Sequence, residues 1–211
     1  MTDPFGYVVQ PQEPVPVERP EIQRIAVKIL TNAPQSLNLD PVLSIFARWR
    51  KDESHPAQWV DLADYAHMSR GLGIVLVGRL CNFAFDMGLP APGILYTSKK
   101  GLEGETEDRL RHVLRASLEM TRALLAEPEF PAGVHLDTGA LELAFNDRLE
   151  TPNIASTDRL LRPAVLAVLD QVFGSGGYEA APERDPARRY GFSVRAVNPP
   201  PLEGLLARLP S

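Results

Sequence analysis

Residues 59–78 read WVDLADYAHM, SRGLG and IVLVG in turn, and we expect this stretch to determine the fold. Two apolar, β-prone runs flank a turn that contains glycine, and this order is typical of a β-hairpin. Because both arms carry apolar residues, we predict that the hairpin lies at the centre of a sheet. Ionisable and aromatic side chains are also concentrated here, so a chemical site is expected first at this hairpin.

The first arm of the hairpin carries the best candidate group for chemistry. Side chains alternate along a strand, so Asp61, Tyr65 and His67 are expected on one face and Asp64 on the other. Arg79 follows the second arm. A carboxylate beside a histidine is a common way to orient an imidazole as a general base. The alternative is a polar sheet face with a few hydrogen bonds, which the lack of a recognisable nucleophile favours.

The composition limits the class of protein. With 44% hydrophobic residues, the 211-residue chain can form one domain with a real core. Its 27 acidic residues outnumber 22 basic ones, and the resulting field opposes binding to nucleic acid. A single cysteine, Cys81, fits a reducing compartment. No signal sequence and no apolar run of about 20 residues is visible, so we expect a soluble, cytoplasmic protein without a transmembrane segment.

No pattern in the sequence predicts a metal or a cofactor. The glycines at 71 and 73 lack the third glycine and the following helix of a dinucleotide site. Residues 98–104 lack the Gly-Lys-Ser/Thr ending of a phosphate loop. Cys81 lies in an apolar strand context and is expected to be a small core residue. The histidines are scattered, with no pair at helical ligand spacing: His55, His67, His112 and His135.

Strands and a helix are predicted on both sides of the hairpin. The β-prone run Ile22–Leu30 predicts a first strand. Asp40 as N-cap and Pro41 at the first helical position predict a helix after it. Beyond the hairpin, we expect the second strand to continue through Arg79 to residue 85. A turn at 88–93 then leads to a strand at 94–97, which completes a meander of three strands.

The second half of the chain is predicted to contain two long helices. One begins near Glu105, carries an apolar stripe at helical spacing and ends before Pro128. Two short strands are expected between residues 134 and 149, around the Asp-Thr-Gly at 137–139, although 141–149 would also form a short helix. Thr157 caps the other helix, whose regular part starts late because of Pro163 and which ends at Gly174. A last strand covers 190–197.

This order of elements predicts an α+β fold. We expect a mostly antiparallel sheet covered on one face by about three helices, with the other face available as a binding surface or dimer interface. Residues 1–21 form a proline-rich N-terminal arm, 22–197 a single α+β domain and 198–211 a C-terminal docking segment.

The two terminal segments carry the prediction of function. The prolines of residues 1–20 favour an extended arm, whose alternative is a disordered tail. The arm has four apolar anchors for a neighbouring subunit: Phe5, Tyr7, Val8 and Val9. Near the C-terminus, leucines at helical spacing form one face of an amphipathic helix too short to be stable alone. This helix must dock on its own domain or on a partner through Leu202, Leu205, Leu206 and Leu209.

We therefore predict a non-enzymatic structural or interaction subunit. It would bind copies of itself, with a homodimer among the expected assemblies, or a larger protein complex through these terminal segments. The alternative is a small-ligand-binding domain or enzyme with its site at the 59–79 hairpin. That site would use His67 and Asp64, or Asp61 in place of Asp64, together with Tyr65 and Arg79.

Three short patterns carry a resemblance to other sequences. They are DLADYAH at 61–67, GIVLVG at 73–78 and NDRL followed by Pro152 and Asn153 at 146–153. In these, the chain resembles a group of bacterial hypothetical proteins that have no assigned activity. The resemblance covers about residues 22–196, implies no activity and leaves both terminal segments unexplained.

Overall fold

The computed structural model of the chain describes residues 20–68 and 71–209. Within these residues the fold is α+β, as predicted, and contains one sheet and four helices. In chain order the elements are β1 (Ile25–Thr31), α1 (Asp40–Trp49), β2 (Trp59–Tyr65), β3 (Gly73–Gly78), β4 (Cys81–Asp86), β5 (Gly93–Ser98), α2 (Thr106–Leu125), β6 (Leu136–Phe145), α3 (Ala155–Phe173), β7 (Tyr178–Pro182), β8 (Gly191–Ala196) and α4 (Leu202–Ala207).

All eight strands belong to one antiparallel sheet in the order β2-β3-β4-β5-β1-β6-β8-β7. Strand β1 lies between β5 and β6, and β2 and β7 form the two edges. Side chains alternate between the faces of each strand. On β1, Ile25, Val27 and Ile29 enter the hydrophobic core, whereas Ala26 and Lys28 point to the opposite face.

The four helices cover one face of the sheet. Phe46 of α1 packs on Phe83 of β4 with ring centroids 5.6 Å apart. The apolar stripes of α2 and α3 pack over β1, β6 and β8 around Val27, Leu143 and Val194. We call the opposite side the open face, because its apolar residues lie outside the hydrophobic core that the helices complete. The prediction that helices cover one face is confirmed.

The hairpin of residues 59–78 forms, but its predicted place at the centre of the sheet is wrong. Strand β2 is an edge strand, and β3 is the second strand. The centre is formed by β1, whose seven residues are all buried. Strand β2 carries Asp61 on one face and Asp64 on the other, and both side chains are exposed.

The strand predicted to continue from the hairpin to residue 85 is in fact two strands. A turn at Arg79 and Leu80 separates β3 from β4, which pair with each other so that Val77 lies opposite Asn82. The meander therefore has four strands, β2 to β5, not three. The core-facing positions shift by one residue across this turn, from Ile74 and Leu76 to Cys81 and Phe83. Strand β3 is apolar on both faces, so it has no visible alternation in which the sequence could show this shift.

The region 134–149 contains one strand, β6, where two were predicted. The Asp-Thr-Gly at 137–139 lies inside this ten-residue strand. Gly139 does not make a turn here: a Cβ atom on it would lie 3.0 Å from two ring carbons of Pro199, so glycine gives room to the C-terminal segment. A glycine that admits a close neighbour and one that permits a turn look the same in a sequence.

The other helix and strand predictions are confirmed with shifts at their ends. Helix α2 begins after Glu105, as predicted. Helix α1 begins at Asp40 itself, whose backbone N–H donates to the Asn38 side chain. Helix α3 begins at Ala155 and contains Pro163 in its interior, so its predicted late start is wrong. Strand β7 was not predicted, because its alternating residues follow directly on a glycine-rich turn.

Candidate functional site

The residues predicted to form a site at the hairpin do not enclose one. The side chains of all five, Asp61, Asp64, Tyr65, His67 and Arg79, are exposed. Asp64 accepts a hydrogen bond from the backbone N–H of residue 66, and Asp61 from that of residue 62. His67 follows the end of β2 that pairs with β3 at residue 73, whereas Arg79 lies beyond the other end. A seven-residue strand, about 20 Å long, thus separates the histidine from the arginine.

The predicted partner-binding residues fall into two groups. Phe5, Tyr7, Val8 and Val9 lie outside the described residues, so their role stays a prediction. Three leucines at the C-terminus, Leu205, Leu206 and Leu209, are buried in the core of their own domain, and Leu202 packs partly against it. A partner would therefore meet only the outer side of α4.

The open face forms a groove of about 770 Å³. Its floor lies across strands β4, β5, β1, β6 and β8, and small residues make it concave. In one row across the strands the floor carries Asn82, Thr97, Ala26, Ala144 and Gly191. In the adjacent row it carries Ala84, Leu95, Lys28, Glu142 and Ser193.

A buried ion pair crosses the floor of the groove. The Lys28 ammonium lies 2.6 Å from a carboxylate oxygen of Asp86, and the two side chains are only 5% and 8% exposed. The ammonium also donates to the carbonyl oxygen of Gly88, at 2.8 Å. Lys28 reaches this position by passing over Gly93 of β5, where a Cβ atom would lie 2.9 Å from the lysine Cε. Lys28 thus ties β1 to the end of β4, through Asp86, and to the loop that follows, through Gly88.

Glu142 is the direct neighbour of Lys28 in the sheet but is not its partner. The two residues are opposite each other on β6 and β1, yet the lysine ammonium extends the other way, towards Asp86. One oxygen of Glu142 accepts the Ser193 hydroxyl at 2.8 Å. Among the described residues it forms no ion pair. Glu142 is therefore a half-buried carboxylate with hydrogen-bonding capacity left at the floor.

The groove is mostly apolar at one end and charged at the other. At the β3 to β5 end five apolar residues line it, Leu72, Val75, Leu89, Pro90 and Leu95, together with the polar Asn82, Asp86 and Thr97. The opposite end is formed by the loop between β7 and β8, which carries Glu183, Arg188 and Arg189. Arg188 pairs with Glu183 at 2.9 Å, whereas Arg189 is exposed. Such a lining suits a molecule with an apolar part and a polar group.

Two asparagine side chains in the lining are not fully hydrogen-bonded. The Oδ1 atoms of Asn82 and Asn146 are buried and accept no hydrogen bond from any described residue. Buried amide oxygens without a donor are uncommon, because each costs about 1–3 kcal/mol. Both asparagines therefore keep unused hydrogen-bonding capacity in the lining of the groove.

The sequence contained a signal for this site that the hairpin obscured. Lys28 interrupts the apolar strand IAVKILT, and Glu142 interrupts LELAF. A charged residue in the middle of an apolar strand indicates a position where one face is not part of the core. The charged residues of β2 are more numerous and closer in sequence, but they lie on an edge strand.

Cys81 and Tyr96 lie on the core side of the sheet, away from the groove. Burial raises the pKa of the Cys81 thiol, and burial likewise raises the pKa of the Tyr96 hydroxyl beside it. Cys81 is a buried core residue, as predicted. A thiol held in its protonated form is a poor nucleophile, so this cysteine has no role at the groove.

Comparison with known proteins does not identify the chain. No protein-family model matches it, and no curated protein matches it. Within residues 20–68 and 71–209, no helix is long and apolar enough to cross a membrane. In the same residues, no three histidine, cysteine, aspartate or glutamate side chains are grouped as they would be around a metal ion.

Proposed function

We propose that this chain is a small-ligand-binding domain and that the groove on the open face is its site. The observation that carries the proposal is the groove itself: about 770 Å³, with a mostly apolar end and a charged end. Sites for small molecules usually have volumes of about 300–1,000 Å³ and combine apolar walls with a few polar groups. This proposal keeps the ligand-binding alternative of the sequence but moves the site from the hairpin to the centre of the sheet.

The small residues of the floor support a site for a ligand. Ala26 and Ala84 are buried, although neither belongs to the core that the helices complete. Larger side chains at these positions would fill the groove and remove the concavity. The groove thus depends on alanine and glycine at the centre of the open face.

Ala144→Leu should block binding at the groove. The new side chain would extend from the floor of β6 into the space that a ligand needs, and we expect at least about tenfold weaker binding. The measurement is titration with N-phenyl-1-naphthylamine, a neutral dye whose fluorescence rises in apolar surroundings. Stability should change little, because Ala144 does not face the helices.

Ala181→Leu provides the matched control. Ala181 lies on the same open face, on the edge strand β7, but is exposed and does not line the groove. This variant should bind the dye as the wild type does. If the wild type fails to bind the dye, or if both variants weaken binding equally, the groove is not the site.

A second candidate function is the interaction subunit that the terminal segments suggested. The tip of the β2–β3 hairpin favours it, because three large apolar side chains are exposed there: Tyr65, Met68 and Leu72. We expect the wild type to self-associate, and either Met68→Ser or removal of residues 1–20 to release the monomer. Light scattering after size-exclusion chromatography measures the mass. A monomeric wild type would contradict this role.

A further inference from the structure

We propose that the ligand of the groove carries an amino group, which donates N–H hydrogen bonds to Glu142, and an apolar body, which packs against Leu72, Leu89 and Leu95. This inference rests on the proposed function and specifies the chemical class of the ligand. It assigns Glu142 the role of the residue that selects the polar group.

The first argument is the unused capacity of Glu142. An ionised carboxylate has two oxygens and accepts about four hydrogen bonds. Glu142 accepts one from a described residue, the Ser193 hydroxyl, and its cross-strand neighbour Lys28 is held by Asp86 and Gly88. A hydrogen-bond donor stabilises a half-buried carboxylate, and a positively charged donor stabilises it most. The groove supplies space for that donor beside Glu142.

The second argument is the position of the charges. The arginines at the charged end lie on an exposed loop, and Arg188 already pairs with Glu183. Solvent and salt screen exposed charges more strongly than a half-buried one, so Glu142 has the greater effect on selectivity. The net charge of the chain, −5, also attracts cations and opposes anions. Both effects favour a cationic amine over a carboxylate or a phosphate.

The third argument concerns the kind of cation. Binding of quaternary ammonium groups commonly uses several aromatic faces around the charge. Among the described lining residues the single aromatic one is Phe192, and its ring is buried in the core under the Arg162 guanidinium. An ammonium that retains N–H donors fits this site, whereas a trimethylammonium group has no donor for Glu142.

Four probes with one apolar body test the inference on the full-length chain. They are 4-phenylbutylamine, its N,N,N-trimethyl derivative, 4-phenylbutanol and 4-phenylbutanoate, each titrated by isothermal calorimetry. We expect the amine to bind roughly 10- to 100-fold more tightly than the other three, as hydrogen bonds to a charged group allow. Glu142→Gln should remove this preference, because glutamine keeps the shape and an acceptor for Ser193 but not the charge.

Glu179→Gln is the matched control, since Glu179 lies on the open face of β7, outside the groove lining. It should keep the preference for the amine. Equal binding of amine and alcohol, or a preference that survives Glu142→Gln, would overturn the inference. Tighter binding of the butanoate or the trimethyl derivative would also overturn it, while the groove remained a ligand site. If none of the four probes binds, the inference fails. The dye titration then tests separately whether the groove is a ligand site.

Discussion

Lys28→Met should lower the free energy of unfolding by about 3–5 kcal/mol, which is the usual cost of removing one partner from a buried ion pair. The substitution leaves the Asp86 carboxylate buried without a cation. It also removes the hydrogen bond to the Gly88 carbonyl, which holds the loop after β4 against the sheet. Urea unfolding measures the effect as a lower midpoint with an unchanged slope.

The double variant Lys28→Met/Asp86→Leu separates the pair from the packing around it. The two apolar side chains remove both charges together, so most of the lost stability should return. Lys100→Met is the matched control, because Lys100 is exposed, and its effect should stay within about 0.5 kcal/mol. If the double variant were as unstable as Lys28→Met, the loss would come from the lost hydrogen bond to Gly88 or from packing of the lysine side chain, and not from the unpaired carboxylate.

Local patterns were enough to predict α2 and the existence of β1, β5 and β8. Each has a clear period and a clear stop: α2 ends before Pro128 and β1 before Pro34. Local patterns could not predict the order of the strands in the sheet, because β1 pairs with two strands that lie far along the chain. No local signal indicates this pairing. The sequence therefore favours the hairpin, which pairs locally, as the centre of the sheet.

The candidate site was missed for a related reason. Lys28, Asp86 and Glu142 come from three strands, and each appears in the sequence as one charged residue among apolar neighbours. Only the order β4-β5-β1-β6 brings them to one face. The charges of β2 are easier to see because they are close in sequence, but an edge strand keeps them in water, where exposure has little energetic cost. The density of charged residues was thus a poorer guide than their position within apolar strands.

Leu205→Ala should destabilise the isolated chain by about 2–5 kcal/mol. The Leu205 side chain is 1% exposed and packs in the core of its own domain. Hydrogen bonds hold the segment around it: the Arg115 guanidinium donates to the carbonyl of Leu209, and that of Arg208 to the carbonyl of Val172. Loss of the leucine therefore leaves a cavity that the anchored segment cannot easily fill. Urea unfolding of the purified chain measures the loss.

This result would decide between the two roles that the sequence left open for the C-terminal helix. A helix that docks only on a partner contributes nothing to the stability of the isolated chain, so Leu205→Ala would then leave the unfolding midpoint unchanged. Leu160→Ala, an exposed leucine on α3, controls for the substitution itself and should change stability by less than about 0.5 kcal/mol. A large loss for Leu205 and a small one for Leu160 would make α4 part of the domain, and a search for partners would then turn to the open face and the hairpin tip.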